Sequence, residues 1–494
     1  REDLRLVDYN TLKKVIGFMV EALSGQAAGE SSQQVTAVET SSASAILPAS
    51  TQTIVVDEPP AQATNQELSA NSETVTQTAQ SDEPEDEQIV IRRRVPKPVL
   101  LPKLDLCVPS GVALDESSRV IIVSDKGKVA DSLARRLRSR KVDLLALTGS
   151  QTAEEWREKV AAFQKDGKVQ GVYYLTGLDG EQPLSDLDSR GWESQVETRL
   201  MRLYHLMRTV EGEPFLICAT RMGGLHGATP VPASNVFGGL ISGFAKALSR
   251  ERPNTLVKVV DFEVNANDSQ IAARLMGETL SDPSVVEVGW EGDQRFSVTL
   301  FEEQAEVQVQ SLPEKPVVII SGGAGGIVAP ILTDLAKQTQ GVFYLLGRSP
   351  LADPQDATIQ RLRTDRDGLK KDLLREMTVS GQKPSPAQVE EKLAGLERMA
   401  GILEAMQTAN SLGARVTYRV CDVTDAALVN KAVRQIVEEQ GRIDVLIHAA
   451  GIERSRKLHL KTEEEFRSTI AVKAGGFFNL YKALQAAAAL PKQV

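Results

Sequence analysis

The chain has 494 residues, 41% of them hydrophobic and 25% charged, which is enough apolar content for two or three globular units. A net charge of −9 argues against nucleic acid or an anionic membrane as a main partner, and no apolar run reaches membrane-spanning length. There is no signal peptide, Cys107, Cys218 and Cys421 lie far apart in no metal spacing, and the four histidines form no ligand motif; a reducing cytoplasm and no metal centre are expected.

Residues 1–24 (REDLRLVDYNTLKKVIGFMVEALS) read as one helix, with Val15, Ile16, Met19, Val20 and Leu23 as its apolar face. Residues 25–97 are rich in Ser, Thr, Gln, Ala and Glu and carry the acidic run SDEPEDEQ at 81–88. Such a composition cannot bury enough apolar surface to offset the entropy of ordering, so a disordered, flexible tether is expected. Arg92-Arg93-Arg94 read as its solvated end rather than a nucleic-acid patch.

Residues 98–312 read as an α/β unit. The spacing predicts strands at 120–123, 142–147, 171–175, 215–219 and 257–262, and helices at 128–139 and 236–249. That order is Rossmann-like. The loop after the first strand, SDKGKVADSLARRL, has one glycine and offers no phosphate cradle.

Residues 313–494 form a second α/β unit, and the stretch 317–349 is the most informative of the chain. Strand Val317–Ile320, a glycine loop, a helical pattern and strand Val342–Leu346 make the first half of a dinucleotide-binding βαβ unit. Ser321-Gly322-Gly323-Ala324-Gly325-Gly326-Ile327 is the candidate pyrophosphate loop. Its glycines allow a tight turn and close approach of backbone N–H groups, and the following helix aims its positive end at the same phosphates. Val328 stands at the last glycine position of the usual pattern, and Pro330 is acceptable in a helix's first turn. Arg348, followed by Ser349, closes the second strand; a guanidinium there suits a 2′-phosphate, so NADPH is the expected cofactor. Taken alone, the loop and the arginine also admit an ordinary glycine turn beside a solvated side chain.

Residues 351–410 are an insertion with charged helical segments at 360–377 and 387–407, in which Val389, Leu393, Leu396, Leu403 and Met406 share a face. It reads as a helical hairpin packed on the domain, or as a docking or dimer surface. A strand at 415–420 then closes in Cys421-Asp422-Val423-Thr424-Asp425, a helix spans 427–439, and strand 445–447 ends in His448-Ala449-Ala450-Gly451. Asp422 could accept a hydrogen bond from the adenine amino group, with Val423 beside it. The small residues Ala449, Ala450 and Gly451 would let the cofactor lie against the strand end. A doubly wound parallel sheet follows from this order.

The set SGGAGG, LGRS, CDVTD and HAAG, with Lys473 in AVKAGGFFNL, resembles the ketoreductase domain of type I polyketide and fatty-acid synthases, within the short-chain dehydrogenase/reductase superfamily. The resemblance implies two Rossmann-like subdomains, a structural one at 98–312 and a cofactor-binding one at 313–494. It implies that Lys473 contacts the nicotinamide ribose and lowers the pKa of a catalytic Tyr. That Tyr and its companion Ser would fall past Val494, so residues 1–494 alone are expected to be inactive and the second sheet truncated. The family's LDD stereochemical marker is replaced by Ile452-Glu453-Arg454. Residues 1–24 look like the last helix of an acyl carrier protein, and the insertion is similar to that of polyunsaturated fatty acid synthases. The implied reaction is NADPH-dependent reduction of a β-ketoacyl thioester held on phosphopantetheine of a carrier domain outside this chain. Implied partners are carrier domains and other synthase domains, with a homodimeric synthase as one arrangement; a non-catalytic scaffold domain and a stand-alone reductase are the alternatives.

Overall fold

Short runs of β-branched and aromatic residues, separated by amphipathic helices, build two sheets that are parallel for most of their width. The computed structural model describes residues 92–228, 233, 235–304, 312–323, 325–351, 353–379 and 385–491. The predicted helix at 1–24, residues 25–91 of the predicted tether, and Ala324 lie outside them.

The first sheet contains β1 (Arg92–Leu100), β2 (Arg119–Val123), β3 (Asp143–Leu147), β4 (Gly171–Gly177), β5 (Phe215–Thr220), β6 (Val257–Phe262), β7 (Glu287–Glu291) and β8 (Gln294–Gln304). Their order is β1-β8-β7-β6-β5-β4-β2-β3. Strands β2 to β7 run parallel; β8 is antiparallel to β7, and β1 antiparallel to β8. Residues 92–97, expected in the tether, are therefore part of a strand. Each pairs with a residue of β8, and Glu303 opposite Arg93 also bridges Lys97, so opposite charges face each other across the edge. Pro96 and Pro98 are compatible with an outermost strand, which needs no donor on its free side.

Helices α1 (Val129–Arg138) and α6 (Asp268–Leu280) cover one face of this sheet. The other face carries α2 (Ala153–Lys165), α3 (Ser189–Val196), a π-helical turn at Glu197–Met201, α4 (Arg202–Thr209) and α5 (Gly238–Glu251). Strands β4, β5 and β6 are buried along their whole length, as strands covered on both faces must be.

The second sheet has four parallel strands, β9 (Val317–Ser321), β10 (Val342–Gly347), β11 (Arg415–Val420) and β12 (Val445–His448), in the order β11-β10-β9-β12. Side chains alternate as the pleat requires. Val318 and Ile320 pack on α7 (Val328–Thr339) and α10 (Pro386–Ser411). Val317 and Ile319 pack on the opposite side, against α11 (Ala426–Gln440) and α13 (Gly476–Ala486). Helix α12 (Glu463–Ile470) joins α13 through a second π-helical turn, Ala471–Gly475. Both units are doubly wound, as expected.

The insertion is a hairpin with one joint more than its periodicity suggested. Its first arm divides into α8 (Ala357–Thr364) and α9 (Arg366–Val379) at Asp365, whose carboxylate accepts from Gly368 N at 2.9 Å. Its second arm is α10, started by a Ser385–Gln388 capping box with Pro386 at the first helical position. Ile359, Leu369, Leu373, Val389 and Leu393 give the hairpin its own small core.

The two halves meet along the helices that contain the π-helical turns. Trp192 stacks on Phe478 with ring centroids 4.6 Å apart, and Tyr204 on Phe466 at 4.5 Å. Arg467 pairs with Glu197 at 2.8 Å, and Tyr204 donates to Lys461 O at 2.7 Å. No helix among the described residues is long and apolar enough to cross a membrane.

Candidate functional site

The site begins where β9 ends. Gly322 and Gly323 have φ of 98° and 67°, a region that side-chain-bearing residues rarely adopt. A Cβ on Gly322 would stand 2.8–2.9 Å from the backbone of Ala449 and Ala450; one on Gly323 would meet Ile402 at 3.4 Å. Gly322 is fixed by the protein's own packing, and Gly323 by its backbone conformation. Gly325 and Gly326 are not: a Cβ on either would meet nothing closer than 3.9 Å. Their lack of a side chain keeps the space in front of the loop bare. Pro330 falls third in α7, within the first turn, where it removes no helical hydrogen bond.

The loop forms one wall of a cleft of about 510 Å³. Of the residues singled out in the sequence, Gly322, Gly323, Gly325, Gly326, Ile327, Arg348, Ser349, Val423, Ala449, Ala450, Gly451 and Lys473 all line it. Two do not. Ser321 is fully buried, so it acts behind the wall rather than on a ligand. Asp422 is turned into its own loop, where Oδ1 accepts from Thr424 N at 2.9 Å and Thr424 Oγ1 at 2.8 Å. This local turn is what an Asp two residues before a Thr tends to form.

The cleft is also lined by residues that sequence reasoning did not assign to it, among them Arg398, Ile402, Tyr418 and Cys421. Tyr418 stands against Gly347, where any side chain would strike its ring, and donates to Ser349 O at 2.7 Å. Its β11 neighbourhood gave the only hint, since Tyr418 pairs beside the LGRS strand. Arg398 and Ile402 come from the insertion; one face of a helical pattern was visible there, but not what it would touch.

The cleft is electropositive. Arg348, Arg398 and Lys473 line it, and no carboxylate does so among the described residues. In a chain of net charge −9, that local excess of cations marks a place for an anion. Ile327 is 79% exposed at its mouth, an apolar surface left for something to cover.

Behind the wall, His448 ties the strand ends to the helix bearing Lys473. Its Nε2 faces Lys473 O at 2.9 Å and so must be the N–H donor; Nδ1 then accepts from Ser321 Oγ at 2.8 Å. Ser321 Oγ in turn accepts from Ala450 N at 3.3 Å. Burial, opposed in part by the hydrogen bond to Lys473 O, holds the His448 pKa below the ordinary histidine value. A depressed folded-state pKa means that this network's contribution is complete above about pH 6.5 and is lost as pH falls through the lowered value. We expect the His448 ring to titrate in an NMR pH series with a midpoint below about 6.5; a midpoint above it would contradict the network.

The equivalent place in the first half is filled by the protein itself. Asp125 reaches the start of α1, where its carboxylate accepts from Val129 N at 3.3 Å and Ala130 N at 2.9 Å. A carboxylate there satisfies the donors that a phosphate would otherwise take. Each half also has a five-residue π-helical turn in the helix after its central strands. Lys473 is third in one, and Arg199 is third in the other. Arg199 is buried, pairs with Glu181 at 3.4 Å and donates to Thr176 O at 2.6 Å and Asp179 O at 2.8 Å. Lys473 is exposed to the cleft, with Nζ 3.3 Å from where a Cβ of Gly451 would stand.

Residues 316–490 match the family model described as KR domain. Over 283 residues the chain is 26% identical to a polyunsaturated fatty acid synthase polypeptide of Thraustochytrium sp. (strain ATCC 26185 / S-3), covering 54% of this chain and 10% of that protein. It is 24% identical over 252 residues to polyketide synthase PksN of Bacillus subtilis (strain 168), covering 50% of this chain and 4% of that protein. The chain thus spans a tenth or less of either synthase. Among solved structures it is similar to an N-terminal ketoreductase from the macrolactin assembly line, with a TM-score of 0.57 at 13% identity, covering 80% of this chain and 72% of that one. It is also similar to an adenylation, ketoreductase and pseudo Asub multidomain structure of a keto acid-selecting NRPS module, with a TM-score of 0.58 at 18% identity, covering 81% of this chain and 31% of that one. At these identities the structures speak for a shared fold.

Proposed function

From a chain whose residues 316–490 carry a ketoreductase-type region like those of polyketide and polyunsaturated fatty acid synthases, we propose a β-ketoacyl reductase component of such a synthase. The observation that carries this reading is the cleft: a bare glycine loop at a strand end, three cations and no carboxylate among its described lining residues. NADPH fits that set. The pyrophosphate would take the amides of residues 322–327 and the start of α7. Arg348 and Ser349 would take the 2′-phosphate, Val423 the adenine face, and Ala449 to Gly451 the remainder of the cofactor. When bound, NADPH supplies the hydride for the β-carbonyl of a β-ketoacyl thioester. The chain's own contribution is to hold the cofactor, to exclude water with Ile327, and to present Lys473 to the ribose and to a tyrosine that the resemblance places after it. A phenol of pKa about 10 becomes an effective acid near neutral pH when a cation stands beside it.

The same reading assigns residues 98–312, with β1 completing their sheet, as the bracing half. Residues 313–494 are then the cofactor half, and 351–410 its insertion. Residues 1–24 would be the end of a carrier domain on a flexible tether. Partners would be carrier domains bearing β-ketoacyl-phosphopantetheine in the cytoplasm. The test is NADPH oxidation by the whole protein with a β-ketoacyl pantetheine thioester. The expected result is stoichiometric β-hydroxyacyl product. NADPH binding without turnover would replace this reading by that of a nucleotide-binding scaffold.

A further inference from the structure

The inserted hairpin does more than cap the domain. The last third of α10 lies along α7, and Ile402 closes on Gly323 of the nucleotide loop. Arg398 is four residues earlier, one helical turn away on the same face, and it lines the cleft together with Arg348 and Ser349. Neither Arg348 nor Arg398 has a hydrogen bond or ion pair among the described residues, although most other arginines of the hairpin do; Arg361 pairs with Asp372 and Arg366 with Glu397. Two guanidiniums from separate segments thus line one cleft, and no carboxylate lines it with them among the described residues. A dianion with several acceptor oxygens, such as a phosphate monoester, suits two planar donor groups arriving from different sides.

We propose that Arg398 is a second specificity residue for the cofactor's 2′-phosphate, so that the insertion, and not only the strand end at Arg348, sets the preference for NADPH over NADH. This rests on the NADPH reading above. The hairpin thereby gains a role that neither a packed ornament nor a docking surface would have. Ile402, one turn further along the same face, stands beside Gly323 of the phosphate loop, so the helix that carries Arg398 runs past that loop.

Titration of the whole protein with NADPH and, separately, NADH tests the assignment by isothermal calorimetry. Arg398 is exposed, so its replacement should leave folding intact. Arg398→Ala is expected to weaken NADPH by roughly 10- to 100-fold, the usual loss for a hydrogen bond to a charged group, and to leave NADH within about twofold. Arg398→Lys should recover part of the NADPH affinity by restoring the charge without the planar fork. The inference is overturned if Arg398→Ala changes neither affinity, or weakens both equally. If Arg348→Ala abolishes the NADPH preference and Arg398→Ala does not, the NADPH reading stands and the second-arginine assignment fails. If the unaltered protein binds neither nucleotide, both fall together.

Discussion

Glu278→Ala is expected to destabilise the first half by about 3–5 kcal/mol, the cost typical of leaving buried charges without their partner. Glu278 is fully buried, as is Lys258, and Arg295 is nearly so. Its two oxygens accept from Lys258 Nζ at 2.9 Å, from Arg295 Nε at 2.6 Å and a terminal guanidinium nitrogen at 2.8 Å, and from Trp290 Nε1 at 3.1 Å. Asp282 holds the other end of Arg295 at 2.8 Å. One carboxylate therefore joins β6, α6, β7 and β8, the very edge where the sheet turns from parallel to antiparallel. Its removal leaves the buried Lys258 with no carboxylate among the described residues, only Ser281 O at 2.8 Å, and Arg295 with the Asp282 carboxylate alone. Trp156, Trp192 and Trp290 all lie in the first half, so tryptophan fluorescence during urea unfolding follows this unit. A loss of less than about 1 kcal/mol, the value of an ordinary exposed pair, would contradict the account of this network.

Lys473→Met should lower kcat of the whole protein by roughly 10²- to 10⁴-fold, the range for loss of support to a general acid. NADPH binding should weaken far less, because the loop, Arg348 and the strand ends remain. The π-helical turn makes this position special. One extra residue in the turn shifts the helix register by about 100° beyond it, which sets which side chain faces the cleft. His448 fixes the backbone of that turn from beneath. A purely structural lysine would leave the pH–rate profile of the residual activity unchanged, whereas loss of a cation beside the acid should move its alkaline limb upward. A kcat within threefold of the unaltered enzyme would remove Lys473 from the machinery.

Most of the second sheet was legible because its signals are local. Each strand is an apolar run of matching period, and each strand end carries a chemical marker: glycines after β9, Gly347-Arg348-Ser349 after β10, His448 to Gly451 after β12. The cleft then followed from topology, since parallel strands put those ends on one edge. Ser321 was assigned to the wall because it precedes the glycines. Burial of the whole of β9 turns it inward instead, and sequence cannot separate those directions at a strand's last residue. Asp422 Oδ1 is engaged in a turn with Thr424, a local contact that its sequence neighbourhood already carries.

Long-range pairing was harder. Strand β1 looked like tether because its residues are charged and proline-bearing; only β8, some two hundred residues away, makes them a strand. The antiparallel hairpin of β7 and β8 shows apolar alternation at Phe296, Val298 and Leu300, but the partner strand β1 does not follow from it. Arg398 was invisible for the same reason. A helix face gives its periodicity in sequence, but the identity of its neighbour comes from tertiary packing.

The most direct measurement of the central claim is a crystal structure of the whole protein with NADPH. The account predicts the pyrophosphate on the 322–327 loop and the 2′-phosphate at Arg348, with Lys473 against the nicotinamide ribose. Nucleotide in the first half at the start of α1, or no nucleotide in the cleft at saturating NADPH, would contradict it.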